Sequence, residues 1–256
     1  MGEHPRGARQ AVVVGGSRGI GRAIVRRLVT DGLDVLATGR SPDALGALRG
    51  GLVDDGLSVR TAVVDATDEE ATAALAEAEP EVDVLVYNAG TSSAAPLQRT
   101  SVDVWRREVD VNATGAFLAL RAFVPGMVAR GHGRAVVVAS TAGLSGSPYV
   151  SAYAAAKHAA VGLVRAVAAE VAGRGVTVNA VCPHFVRTDM TAATLERIEA
   201  ATGRDADEAR AELERSSRLG RLLEPDEVAD AVAYLVSDLT VAVNGHALVL
   251  DGGGHW

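Results

Sequence analysis

The sequence predicts a doubly wound α/β domain, with helices covering both faces of a mostly parallel sheet. Three observations point to it. Strand-like and helix-like segments alternate from end to end, and several strands read as near-continuous apolar runs, as strands buried on both faces must. A glycine-rich turn also joins the first strand to the first helix. At 256 residues the chain suits one such domain and is too short for two with a linker. Hydrophobic residues make up 48% and charged residues 22%, enough for one large core and far from the composition of a disordered chain.

Taken in order, Gln10–Val14 is a short β-branched run that predicts the first strand, and Ile20–Thr30 carries Ile24 and Leu28 at helical spacing. Asp34–Thr38 and Val59–Asp65 read as the second and third strands. Thr67 followed by Glu70 has the spacing of a capping box and predicts a helix start. Val82–Asn88, Arg134–Ser140 and Thr177–Pro183 are apolar runs that supply three more strands. Long helical stretches lie between them, Ser101–Arg130 and Ser151–Ala172. A last helix at Pro225–Ser237 precedes a final strand at His246–Asp251. Met190–Gly220 is charged and interrupted by Gly203, with Asp205 and Glu208 spaced as another capping box, so it reads as two short helices. Because it follows the carboxyl end of a strand, where such folds bind ligands, residues 190–220 are expected to form a substrate lid. Leu195, Ile198 and Leu213 in it suit a fairly large organic substrate. With no repeat and no linker, residues 1–256 read as one domain.

Charge and composition narrow the function. Lys and Arg total 25 against 32 Asp and Glu, a net charge of -7, so a nucleic-acid partner is not expected. The single cysteine, Cys182, excludes an intramolecular disulfide and reads as a small core residue. His4, His132, His158, His246 and His255 form no ligand or triad pattern, and no metal is expected. Apolar runs are short, and Arg6 and Arg9 near the start flank no apolar stretch. The expectation is a cytoplasmic protein without a membrane span.

Residues Val12 to Gly21 read Val-Val-Val-Gly-Gly-Ser-Arg-Gly-Ile-Gly where the first strand meets the first helix. Gly15 suits a tight turn. Gly19 lets the backbone approach a pyrophosphate, and Gly21 allows close packing of the helix on the sheet. The helix N-terminus offers unpaired N–H groups and the positive end of its dipole to phosphates. With Ser17, Arg18 and Ile20 between the glycines, this turn resembles the opening motif of the short-chain dehydrogenase/reductase family, with Val14 where the family has threonine. Cofactor type follows from the second strand. An acidic residue at its end would bind a ribose 2′-hydroxyl, but here stands Gly39 followed by Arg40, with Arg18 nearby. Two guanidinium groups favour a 2′-phosphate, hence NADP(H). By the resemblance, Asp65 borders the adenine ring. Asn88, Ala89 and Gly90 match the family's Asn-Ala-Gly element, where the asparagine steadies the sheet and the backbone borders the cofactor.

Tyr153 and Lys157 stand four apart on a predicted helix and therefore share a face. A free phenol ionises near pH ~10, and a neighbouring ammonium lowers that value, which equips the tyrosine for proton transfer. Ser140 ends the fifth predicted strand, on the side where the cleft should lie, and can hydrogen-bond a substrate carbonyl. The family carries Ser, Tyr and Lys at this spacing with an Asn in the preceding long helix, which Asn112 matches. The resemblance implies Tyr153 as general acid for ketone reduction, or base in reverse. It makes Lys157 the binder of the nicotinamide ribose, Ser140 the orienter of the carbonyl, and Asn112 the holder of a relay water. Pro183, Val186 and Thr188 match a family segment beside the nicotinamide, with His184 in place of its usual glycine and a packing role against the lid expected for that ring.

The resemblance is to 3-oxoacyl-thioester reductases and polyketide ketoreductases in particular. It implies NADPH-dependent reduction of a ketone, thioester-linked in those relatives. Oxidation of a secondary alcohol (a hydroxyacyl thioester, sugar or aromatic diol) and non-catalytic NADP(H) sensing are the alternatives. The family also implies a homotetramer or homodimer built on the long helices, with Phe117, Leu120, Phe123, Val161 and Val164 as candidate surface positions, some of which must face the sheet instead.

Overall fold

The computed structural model describes residues 8–203 and 205–254; His4, Arg6 and His255 lie outside them. Among the described residues seven strands form one sheet: β1 (Gln10–Val14), β2 (Asp34–Gly39), β3 (Arg60–Val63), β4 (Val82–Tyr87), β5 (Gly133–Val138), β6 (Val176–Pro183) and β7 (Ala247–Leu250). Their order is β3-β2-β1-β4-β5-β6-β7 and every neighbouring pair is parallel. Helices α1 (Gly19–Thr30), α2 (Pro42–Asp54) and α9 (Pro225–Val236) cover one face. On the other lie α3 (Glu69–Ala78), α5 (Gly115–Arg130) and α6 (Ser151–Glu170), with α4 (Val102–Val109) packed on α6. The excursion after β6 holds α7 (Asp189–Thr202) and α8 (Ala206–Ser216).

The β1 sequence shows why both faces need cover. Val12 and Val14 point to a core with Phe123, Met127, Val161 and Val164, while Ala11 and Val13 point to a second core with Ile24, Leu28, Leu48 and Val232. Successive side chains on a strand alternate between faces, so an unbroken apolar run demands two helical layers. Strand order reverses between β1 and β4, which opens a crevice at the carboxyl ends of these strands. All the predicted site residues that end strands, Asp65, Asn88, Ser140 and Pro183, fall at that rim.

Several local expectations change. Residues 42–54, given no element from the sequence, form α2: Ser41 caps it by accepting from the Ala44 N–H at 3.2 Å, and Leu45, Leu48 and Leu52 face the core. Gly46, Gly50 and Gly51 lower the intrinsic helix preference of this stretch, and only burial of the leucine stripe overrides it. Helix α3 is capped by Asp68 rather than Thr67. The Asp68 carboxylate accepts from Ala71 N at 3.0 Å, while the Thr67 hydroxyl is drawn back to Asp65 at 2.8 Å. Asp205 does cap α8, accepting from Glu208 N at 2.8 Å.

The stretch expected as one helix, Ser101–Arg130, is divided. Ser101 is the cap of α4, a π-turn spans Asp110–Thr114, and α5 follows. By length and composition Val102–Arg130 is apolar enough to cross a membrane, yet half of its most apolar window is buried inside the protein. The Tyr87 hydroxyl donates to the Val111 carbonyl, so β4 meets the widened turn directly. Of the candidate surface positions, Leu120, Phe123, Val161 and Val164 are core residues. Phe117 is exposed, with the Arg121 guanidinium 5.2 Å from its ring centroid.

Candidate active site

The turn after β1 is held from two sides. Gly15 N and Gly16 N donate to the Thr38 carbonyl at 3.0 and 2.9 Å, and Asn88 Nδ2 donates to the Gly15 carbonyl at 2.8 Å. Gly15 has φ 77, and a Cβ there would stand 2.6 Å from Ala89 N. A Cβ on Gly21 would collide with the Gly15 carbonyl and with Asn88, so this glycine makes room for the turn itself rather than for a strand. Gly19 faces Thr188, whose Cγ2 would lie 3.3 Å from a Cβ there, which joins the first turn to the segment after β6. Helix α1 starts at Arg18 with no side-chain cap and no acid in its first turn, leaving its N–H groups to the crevice.

At the second strand, a Cβ on Gly39 would stand 3.2 Å from Ser17 Oγ. Arg18 and Arg40 are exposed at this rim. Asp65 accepts from Thr67 N at 2.9 Å, and that bond, helped by the Thr67 hydroxyl and Arg40, holds its carboxyl below the usual carboxylate range against the opposing effect of burial. It therefore closes a turn as well as facing the crevice.

Ser140, Tyr153, Lys157 and Asn112 converge at the ends of β4 and β5. The turn after Ser140 lies directly on α6, since a Cβ on Gly143 would be 2.7 Å from the Lys157 carbonyl. Ser140 Oγ accepts from Ala142 N at 3.1 Å, and its hydroxyl acts on the Tyr153 phenol. Lys157 is 5% exposed, donates to the Val138 carbonyl at 3.0 Å and has its ammonium 5.7 Å from the Tyr153 ring centroid. Asn112, 1% exposed, sits in the π-turn, where Nδ2 donates to the Thr91 carbonyl at 3.1 Å and to the Glu108 carboxylate at 2.9 Å.

Electrostatics in this cluster depart from the sequence expectation. Burial pushes the Tyr153 phenol up to about 12, against the opposing pull of the Ser140 hydrogen bond, and pulls the Lys157 ammonium down to about 8. Desolvation is the largest influence on both groups in the protein by itself. The phenol is consequently a stored proton, not a phenolate, at neutral pH. Burial likewise pushes Cys182 up to about 11, in keeping with an inert core thiol.

After β6, the chain is clamped by residues flanking Val186. Leu223 N donates to the Phe185 carbonyl at 2.9 Å and Arg187 N to the Leu223 carbonyl at 2.8 Å, a ladder that does not use the Val186 N–H. The Val186 carbonyl accepts from Thr191 Oγ1 at 2.6 Å, and Thr188 caps α7. His184 links the catalytic turn to the excursion, with Nδ1 3.1 Å from Thr141 Oγ1 and Nε2 2.9 Å from Ser216 Oγ at the end of α8. Arg197 of α7 reaches across to the Ser92 carbonyl at 3.1 Å. In the excursion Leu213 is buried, while Leu195 and Ile198 are partly exposed.

A family model described as short chain dehydrogenase matches residues 9–199, from β1 through β6 and into α7. The chain belongs to the short chain dehydrogenase family. It is 35% identical over 244 residues to the 3-oxoacyl-acyl-carrier-protein reductase FabG of Escherichia coli, covering 95% of this chain and 96% of that one. A variant of the actinorhodin polyketide ketoreductase solved with NADPH superposes with a TM-score of 0.92 at 34% identity, covering 96% and 97%. A Beutenbergia cavernae protein assigned as an NAD(P)-dependent gluconate 5-dehydrogenase, with bound NADP, gives 0.87 at 41% identity over 96% of each chain. As a short chain dehydrogenase, the protein is an oxidoreductase.

Two site neighbours escaped the sequence reading: Glu108, an acid one helical turn before Asn112, and Tyr87, a phenol next to Asn88. Its spacing one turn before Asn112 was the available signal for the first, since its neighbours Trp105, Arg106 and Arg107 are exposed. Tyr87 had none, because its contact with the π-turn is long-range.

Burial depresses the His184 pKa. Above the unfolded value, near pH ~6.5, the neutral ring is at no disadvantage; as pH falls from there toward the folded value, the unfolded chain takes the proton first and stability drops. Thermal midpoints of wild type and His184→Asn, followed from neutral to mildly acidic pH, are expected to converge on acidification; parallel curves would remove His184 as the cause.

Proposed function

We propose that this short chain dehydrogenase is an NADPH-dependent carbonyl reductase acting on a 3-oxoacyl thioester or polyketide ketone. The convergence of Ser140, Tyr153 and Lys157, with a protonated phenol, carries the reading. The residues present suit a dinucleotide: three glycines whose side chains would fill the first turn, a helix N-terminus without an acid, and Arg18 and Arg40 where a carboxylate would repel a 2′-phosphate. Gly15, Ser17, Arg18, Gly19, Ile20 and Gly21 would hold the phosphates. Arg40 would take the 2′-phosphate and Asp65 the adenine. Asn88, Ala89 and Gly90 would line the base of the crevice, Tyr153 and Lys157 the nicotinamide ribose, and Pro183, Val186 and Thr188 the carboxamide side. Bound NADPH supplies the hydride.

In this mechanism Ser140 holds the substrate oxygen against Tyr153, which releases its proton as that oxygen gains negative charge. Lys157 becomes the nearest cation to the resulting phenolate and stabilises it. Asn112 orders the water through which the proton is replaced. Helices α7 and α8 close over the substrate as a lid, and the His184 and Arg197 contacts tie that lid to the catalytic turn and the loop at Ser92. The likeness to FabG and to the actinorhodin ketoreductase supports a thioester-linked ketone. The likeness to the gluconate 5-dehydrogenase favours a second reading, oxidation of a secondary alcohol of a sugar acid by the same residues. We place the enzyme in the cytoplasm and as a homotetramer or homodimer built through the long helices, because Trp105 and Phe117 are 46% and 43% exposed there.

NADPH absorbance decay with acetoacetyl thioesters, other ketones and, in reverse, gluconate separates these readings. Tyr153→Phe is expected to lower kcat by roughly 10²–10⁴-fold in protein that still binds the cofactor; wild-type cofactor binding without turnover on the whole panel would instead indicate a sensor. Arg40→Asp should shift preference toward NADH by roughly tenfold or more, the scale of one lost charge-assisted hydrogen bond, and unchanged selectivity would remove Arg40 from the cofactor site. Light scattering is expected to return a multiple of the monomer mass.

A further inference from the structure

Glu108 ends the last turn of α4 and is 1% exposed. A carboxylate so removed from water needs partners. It accepts from Asn112 Nδ2 at 2.9 Å, and Ser93 and Asn112 favour its charged form against the opposing effect of burial, which pushes the carboxyl up. The same Nδ2 also reaches the Glu108 backbone carbonyl at 3.0 Å, and Asn112 Oδ1 accepts from Thr91 N at 3.4 Å. Glu108 is thus one wall of the socket that holds Asn112. Beyond the socket lies Lys157: its Nζ and Asn112 Oδ1 would stand 3.7 and 3.1 Å from the same point, a Cβ on Gly90. The charged and titratable groups around Glu108 are Arg107 on α4 and Tyr153 and Lys157 on α6, with Cys182 of β6 acting on that pair.

We propose that Glu108 is a positioning residue of the reaction, fixing the Asn112 carboxamide and, as a buried negative charge, keeping both protons on the Tyr153–Lys157 pair. A nearby anion favours the ammonium over the amine and the phenol over the phenolate, so both effects hold the pair in its proton-loaded form. That is the donor state carbonyl reduction uses, and the inference rests on that reading of the site. The direction agrees with the cluster's electrostatics, where Glu108 acts to raise both Lys157 and Tyr153. Because the three groups interact, their midpoints belong to the cluster.

The test uses Glu108→Gln, which keeps an oxygen for Asn112 and removes only the charge, beside Glu108→Leu, which removes both. Phenolate absorbance is read after rapid mixing to alkaline pH, before unfolding, and the Tyr153 contribution is isolated by subtracting the Tyr153→Phe protein. In Glu108→Gln the Tyr153 midpoint is expected to fall by about one pH unit, a tenfold change in the phenolate ratio. The alkaline limb of kcat for ketone reduction should move the same way, with kcat itself lost further in Glu108→Leu as Asn112 is released. An unchanged midpoint in Glu108→Gln overturns the proposal, even if Glu108→Leu is inactive. Absence of wild-type turnover on every ketone would overturn the reductase reading alone, since the absorbance titration decides the charge coupling without turnover.

Discussion

A buried ammonium is costly unless something holds it, and in this protein the Val138 carbonyl at the end of β5 does so for Lys157 of α6. That bond ties the helix carrying the reactive phenol to the strand that leads into Ser140. Because the glycine at 143 brings the intervening turn onto the Lys157 backbone, strand and helix approach closely enough for Ser140 and Tyr153 to meet. The cluster is therefore a consequence of packing as much as of residue type. Its electrostatics follow from the same burial, which keeps the phenol protonated and weakens the ammonium's hold on its own proton.

The crevice on the other side of the site is assembled from the backbone. Asn88 donates to the Gly15 carbonyl, and Thr38 accepts from two successive turn amides, so β1, β2 and β4 share one hydrogen-bonded rim. The Val at position 14 removes a hydroxyl from that rim without opening it, since these backbone and asparagine bonds already close the turn. Polar groups that would otherwise be buried unpaired thereby become the scaffold of the glycine turn.

Much of this was legible beforehand. Apolar runs at β1, β4, β5 and β6 announced a sheet covered on both faces, and the spacing from Ser140 to Tyr153 and Lys157 announced a shared cleft. Local signals failed where a long-range contact decided the outcome. Three glycines hid α2 until the leucine stripe met β2 and β3, and Asp68 displaced Thr67 as a cap once Asp65 had claimed the threonine hydroxyl. The candidate surface residues Leu120, Phe123, Val161 and Val164 were apolar on helices that are covered on more than one side, which periodicity cannot resolve.

By itself, the chain's residue order determined the architecture, the glycine turn and the shared helix face of Tyr153 and Lys157, because each depends on short-range spacing along a strand, turn or helix. Only the tertiary structure decided the break in the long helix at Asn112 and the burial of Glu108 in the socket around it. Those depend on which distant segments exclude water from a given group, and the free energy of an ionisable side chain is set by that exclusion rather than by its neighbours in sequence.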